Sequence, residues 1–253
     1  MAFLRKELKA IFKTYRWWVI PLVFLIFALM SPPTAKLTPQ IMSSVMPKGM
    51  TIKLPEPTLV DAFAQWFKNI SQMGLLAVIL LTMGIVAEEK SSGTILLIVT
   101  KPVSRANVIL SKFTAQAVWL AISFLAAAAA CFAYAAMIFK FDKLMVFSQA
   151  NLLYVLYFIL VIAVTVFFST VMKNQIAAGG LSLVAVMMLS LGSALSKTFD
   201  KYGPTGLTTV GTKLALGQKG AELSQAIWPA LTACLLIAVL LAAAIWLFNR
   251  QEL

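Results

Sequence analysis

Six apolar runs, at 17–31, 70–87, 113–139, 151–172, 176–195 and 227–248, set the limits on what this chain can fold into. A helix of roughly 20 apolar residues crosses the hydrocarbon of a bilayer, because only a helix or a closed barrel pairs every backbone N–H and C=O without water. The composition agrees with the pattern: 61% of residues are hydrophobic and 12% charged, against roughly 45–50% and about 25% in soluble domains. At 253 residues the chain holds six such spans with short connections and has no room for a large soluble catalytic domain. The fold class is therefore an all-α polytopic membrane protein, one transmembrane domain over 1–253 with six transmembrane helices.

The segments around the runs refine this. Residues 1–16 place Leu4, Leu8, Ile11, Phe12 and Tyr15 on one helical face and Arg5, Lys9, Lys13 and Arg16 on the other, the pattern of an amphipathic interfacial helix. A signal peptide is the competing reading, but no small-x-small cleavage site precedes Pro32. Pro21 predicts a bend near the start of the first span. The prolines at 32, 33, 39, 47, 55 and 57 predict an irregular external connection, so 32–69 reads as a loop whose residues 58–70 either lie on the outer surface or extend the second span. Met42, Met46 and Met50 recur at helical spacing inside it, but Pro47 and Gly49 interrupt them and no His or Cys supports a metal site. The fourth and fifth spans are joined through Lys173, Asn174 and Gln175, which predicts a tight antiparallel pair. Residues 196–226, rich in Gly, Thr and Lys, read as a second external loop that permits short re-entrant helices.

The chemistry that is missing narrows function. The chain has no His, and no carboxylate lies in the middle of a span, so the proton and ion relays of coupled carriers lack their usual groups. No Gly-x-x-x-x-Gly-Lys-Ser/Thr phosphate loop occurs, so no ATP site of that type is expected on this chain. Cys131 and Cys234 both fall in apolar runs and read as packing residues. The net charge of +12 comes from Lys and Arg beside the apolar runs, where they anchor helix ends and meet anionic lipid rather than nucleic acid. Polar residues within spans are weak ones. Gln116, Ser123, Ser182, Ser190 and Ser193 either pack helices or line a pathway, and sequence leaves both readings open.

One segment departs from this plainness. Glu88 to Lys112 is a charged interruption between the second and third spans: Glu88 and Glu89, then Ser91, Ser92, Gly93 and Thr94, an apolar stretch at 95–99, then Pro102, Ser104 and Arg105. Pro102 predicts a helix stop and Ser104 a cap for the next helix. Apolar residues on a short connector helix have no reason to stay exposed unless a partner or the bilayer covers them.

The order Glu88/Glu89, Gly93-Thr94, Leu97, Pro102-Val103-Ser104-Arg105 and Lys112 resembles the cytoplasmic segment after the second span of ABC type-2 permeases, the membrane subunits of many bacterial exporters. The resemblance implies that 88–105 forms a coupling helix docking on a separate ATPase, with Glu88, Glu89, Gly93, Thr94, Leu96, Leu97, Pro102 and Arg105 as coupling residues. Leu96 departs from the acidic or polar residue often found there. It further implies that this chain is no enzyme and binds no cofactor, that ATP and Mg belong to the partner ATPase, and that a second permease copy or a homologous permease completes the assembly. Location in a bacterial inner membrane with both termini cytoplasmic follows from the same likeness. Charge alone is close to balanced, with 11 Lys and Arg on the terminal side and 10 on the other; five basic residues before the first span favour that side as inside. The alternative readings are a non-transporting membrane scaffold subunit and an ion-coupled carrier or channel.

Overall fold

The computed structural model describes residues 6, 7, 9, 10, 12, 16–45, 56–93, 104–139 and 143–251, and every regular element among them is helical. Six helices are long and apolar enough to cross a membrane. In chain order they are α1 (Arg16–Val45), α2 (Leu59–Ser91), α3 (Arg105–Ile138), α4 (Leu144–Val171), α5 (Gln175–Leu195) and, after two short helices α6 (Lys197–Tyr202) and α7 (Gly206–Ala215), α8 (Ile227–Arg250). The start of α1 and the end of α8 share one end of the bundle with the α2–α3 and α4–α5 connections; the opposite end carries the α6–α7 hairpin. The expected six-span fold is thus present. Of the expected amphipathic helix, only Lys6, Glu7, Lys9, Ala10 and Phe12 fall among the described residues before 16, and these are helical.

One boundary differs from the sequence reading, and one open reading is decided. The prolines at 32, 33 and 39 do not end the first span; α1 continues through them to Val45. Ile20, Phe24, Ala28, Ser31 and Ala35 form one buried stripe at helical spacing, and this packing continues across the proline pair. Hydroxyls tighten the same turns: Ser31 donates to the Phe27 carbonyl at 2.6 Å, Thr34 to Met30 at 2.8 Å and Thr38 to Thr34 at 2.6 Å. Prolines survive in membrane helices when side chains and neighbouring helices compensate the lost amide bonds. At 59–69 the alternative that extends the second span is the one found, and these residues are the first part of α2. Thr58 starts it, its backbone N–H and hydroxyl both donating to Asp61 Oδ2 at 2.8 Å. A π-helical turn, Ile70–Gly74, joins this part to the rest of the span.

The region 196–226 is also ordered. Ser196 caps α6, and α7 packs along α4, with Leu207 fully buried and Gly211 close against Ala150 and Tyr154. A β-carbon on Gly206 would lie 2.3 Å from the Asp200 carbonyl, so the turn into α7 needs glycine there. Asn174 caps α5 by accepting from the Ile176 N–H at 2.8 Å, which gives the tight α4–α5 pair the sequence implied.

Within lipid, helix association rests on close packing and buried hydrogen bonds rather than on escape from water. Here aromatic side chains fill the space between α1, α2, α3 and α4. Phe24, Phe124 and Phe158 meet at 5.4–6.0 Å between ring centroids, and Phe63 stacks on Phe147 at 4.3 Å. Polar contacts fix the register. The Trp66 indole N–H donates to Asn151 Oδ1 at 3.0 Å, and the Tyr154 hydroxyl lies 2.9 Å from both Ser71 and Thr212, joining the π turn of α2 to α7. By contrast α5 and α8 expose Leu181, Met188, Leu191, Leu235 and Trp246.

Asn151→Ala leaves the fully buried Trp66 N–H unpaired. It should cost about 1–3 kcal/mol, read as a lower midpoint of thermal unfolding in detergent, with part of the loss recovered in the Trp66→Phe, Asn151→Ala double variant. Equal losses in both would assign the effect to packing alone.

Candidate functional site

The end of the bundle bearing the termini gathers most of the chain's buried charge, around the connection between α2 and α3. α2 stops because Gly93 turns left-handed at φ +70°, with its N–H bonded to the Lys90 carbonyl at 3.3 Å and Ser92 bonded to Glu88 at 3.0 Å. α3 starts at Ser104, whose hydroxyl accepts from the Asn107 N–H at 3.3 Å. Between them Thr94, Leu96, Leu97 and Pro102 lie outside the described residues. Glu88, Glu89, Gly93 and Arg105 of the predicted coupling set are described and flank that segment.

These flanking residues are tied down individually. Lys112, with a side chain only 5% exposed, bonds Glu89 at 2.6 Å and Glu7 at 3.3 Å, joining α2, α3 and the stretch before α1. Burial strengthens a charge-assisted pair of this kind and raises the penalty for removing one partner. Glu88 is exposed. Arg105 bonds backbone carbonyls of the last span rather than Glu88 or Glu89. Its Nη1 donates to the carbonyls of Phe248, Asn249 and Gln251 at 2.9, 3.2 and 3.1 Å. Lys90, which sequence reasoning did not single out, donates to the Thr170 carbonyl and to Gln251 Oε1. No sequence signal could have marked these contacts, because the acceptors are mostly backbone carbonyls.

Higher in the same region α2 is interrupted. Its helix stops at Thr82 and restarts at Gly84, and Ser169 of α4 enters the gap. Ser169 Oγ accepts the N–H groups of Val86 and Ala87, both at 3.0 Å, and donates to the Met83 carbonyl at 2.8 Å. A hydroxyl has one donor and two acceptor sites, so all three are used. A side chain inserted into the i to i−4 ladder is one of the recognised causes of a kink. The last eight residues of α2, Gly84–Ser91, are therefore held to α4 as well as to their own helix.

The five residues weighed as pathway or packing do not converge. Ser123 and Ser182 are buried and bond the carbonyls of Trp119 and Ala178 in their own helices, at 2.8 and 2.6 Å. Ser190 likewise bonds Val186 at 3.0 Å, and Ser193 bonds Thr205 of the α6–α7 turn. Ser190 and Ser193 line an open groove of about 340 Å³ at the hairpin end with Asp200, Thr205, Thr208 and Thr209. Gln116 stands apart from these. Its carboxamide oxygen is buried with no hydrogen-bond partner among the described residues, beside an enclosed space of about 10 Å³ that Thr82 and otherwise apolar side chains of α1, α2 and α3 also line. Among the described residues no group of three or more His, Cys, Asp or Glu side chains is placed to hold a metal.

Six long apolar helices with a charged connection between the second and third describe a multi-pass membrane protein. The sequence pattern of the ABC-2 family transporter proteins matches residues 1–253, the whole chain. The chain belongs to the ABC-2 transporter family. It is also 26% identical over 254 residues to the uncharacterized transmembrane protein YxlG of Bacillus subtilis (strain 168), covering 100% of this chain and 98% of that protein. As an ABC-2 protein the chain is a multi-pass membrane subunit of an ABC transporter, a family whose membrane subunits work with an ABC ATPase carried on another chain.

Ser169→Ala removes the hydroxyl that bonds the Val86 and Ala87 N–H groups and the Met83 carbonyl at the α2 break. It should destabilise by about 1–3 kcal/mol, seen as a lower unfolding temperature of the solubilised ABC-2 subunit, and an unchanged temperature would mean that the break needs no plug. Gln116→Leu removes an unpaired buried oxygen, so the same measurement should give equal or higher stability. A clear loss would show that Gln116 has a partner inside the bundle.

Proposed function

We propose that this chain is the permease subunit of an ATP-driven exporter, paired with a second permease copy or a homologous permease and with two ATPase subunits. The ATPases bind ATP and Mg and dock on the 88–105 segment. Nucleotide-driven closure pushes on that segment, the spans rearrange, and a substrate leaves the cytoplasm or inner leaflet. The host membrane in this reading is a bacterial inner membrane, with Met1 and Leu253 both on the cytoplasmic side.

The observation that carries the reading is the way the segment is mounted. Both of its ends are locked by buried ion pairs and carbonyl bonds to α3, α4 and α8, so a force applied there reaches several spans at once. A slack loop would transmit nothing. The apolar stretch at 95–99 supplies a docking face: one such side chain buried in a partner groove contributes roughly 1.5–3 kcal/mol.

Leu96→Asp should leave the protein inserted in the membrane and its spans intact, while weakening co-purification of the ATPase by at least about tenfold, the equivalent of 1.4 kcal/mol. Glu89→Arg should uncouple ATP hydrolysis from transport, and because it also breaks the Lys112 pair, its unfolding temperature must be read alongside. The chain purified alone should show no ATP hydrolysis. Full partner retention and full transport in both variants would defeat the docking role of 88–105.

A further inference from the structure

The two ends of the connecting segment meet at the end of the last span, where both reach Phe248 and Gln251. Arg105, immediately after the segment, donates to the Phe248, Asn249 and Gln251 carbonyls. Lys90, just before it, bonds the Gln251 side chain, which itself donates to the Thr170 carbonyl of α4 at 3.1 Å. Both cations also face the fully buried Phe248 ring, Lys90 Nζ at 5.8 Å and the Arg105 guanidinium carbon at 5.9 Å from its centroid. We infer that the Phe248–Gln251 turn is a latch that makes α8 the span driven by the connecting segment, with Arg105 and Lys90 as its positioning residues. This rests on the proposed role of that segment as the ATPase contact.

The physical chemistry favours this assignment. The last four carbonyls of a helix have no partner inside it, and that end carries the negative pole of the helix dipole. The two N–H groups of Arg105 Nη1 are shared among three acceptors there, in charge-assisted bonds that are stronger than neutral ones. Both flanks of the segment must therefore either break these contacts or carry the end of α8 with them. α8 is free to follow: most of its length faces outward, with Leu231, Leu235 and Val239 exposed, and α4 is its main packing neighbour. The break in α2 at Met83 works in the same direction. It separates Gly84–Ser91 from the upper part of α2 and bonds it through Ser169 to α4, so the flank that carries Lys90 moves with α4 and α8 rather than with the π turn above.

The test compares amide hydrogen exchange of residues 248–251 in the permease–ATPase complex, nucleotide-free against vanadate-trapped. Wild type should show a change of about fivefold or more, the lower range of measured coupling between sites. Arg105→Gln should abolish that change and lower transport per ATP hydrolysed, with the amount of bound ATPase measured alongside to correct for any loss of docking, and Arg105→Lys should restore part of both. Gln251→Ala, which cuts only the Lys90 side, should give an intermediate result and serves if Arg105→Gln does not fold. Persistence of the nucleotide-dependent change in Arg105→Gln, or its absence in wild type, overturns the latch. If the wild-type chain captures no ATPase, it is the docking reading that fails. The latch is then judged on the permease alone: Leu97→Asp should alter exchange at 248–251 in the wild-type background and leave it unaltered with Arg105→Gln, and an equal effect in both backgrounds overturns it.

Discussion

A backbone amide inside a bilayer has no water to fall back on, and the helix α4 is where this protein meets that constraint. At both irregular points of α2 a polar group of α4 stands opposite. Tyr154 faces the π turn of α2 and the short helix α7, and Ser169 fills the gap at Met83. The Thr170 carbonyl accepts Lys90 and Gln251. An unpaired buried amide costs about 1–3 kcal/mol, so each irregularity is tolerable only while α4 keeps its register. That explains why the most buried span is also the one with polar groups near both ends and an apolar middle.

The prolines of α1 show the same rule from the opposite side. A helix-interior proline removes an amide donor and costs about 3 kcal/mol or more in a soluble helix. In α1 the pair at 32 and 33 sits where the helix packs on its neighbours, with Ser31 and Ala35 buried on either side. Unwinding there would strip the remaining backbone groups of their partners as well, a larger loss than the two missing bonds. Reading prolines as helix ends carries over from water, where an unwound turn is resolvated; in lipid the balance reverses.

This contrast separates what could be read from the sequence from what could not. The spans were legible because a long apolar run has one stable outcome in hydrocarbon. The cap at Ser104 was legible too, because it acts through its own local backbone and residue type is sufficient. The site was half legible. Glu89 and Arg105 stood out as charges in an apolar chain, but their partners did not, since Arg105 binds carbonyls more than 140 positions away. Ser169 looked like any serine that bonds its own helix, as Ser123 and Ser182 do. Only the fold shows that it serves a different one.

The charged contacts among the described residues are unevenly placed along the bundle. A charge in the middle of a span would create a binding site for an ion or proton and a cost for every conformational change that moved it. Here the middle of each span holds apolar or weakly polar side chains, and the strong interactions are collected at one end, in Glu7, Glu89, Lys90, Arg105 and Lys112. Packing between apolar helices in lipid is non-directional and tolerates small tilts. The charged end is directional and does not, so it moves as a unit. In the reading proposed above, a bundle compliant along its length and rigid at that end would pass a local displacement to whole helices, and α8, held at that end with much of its outer face exposed, would be one of them.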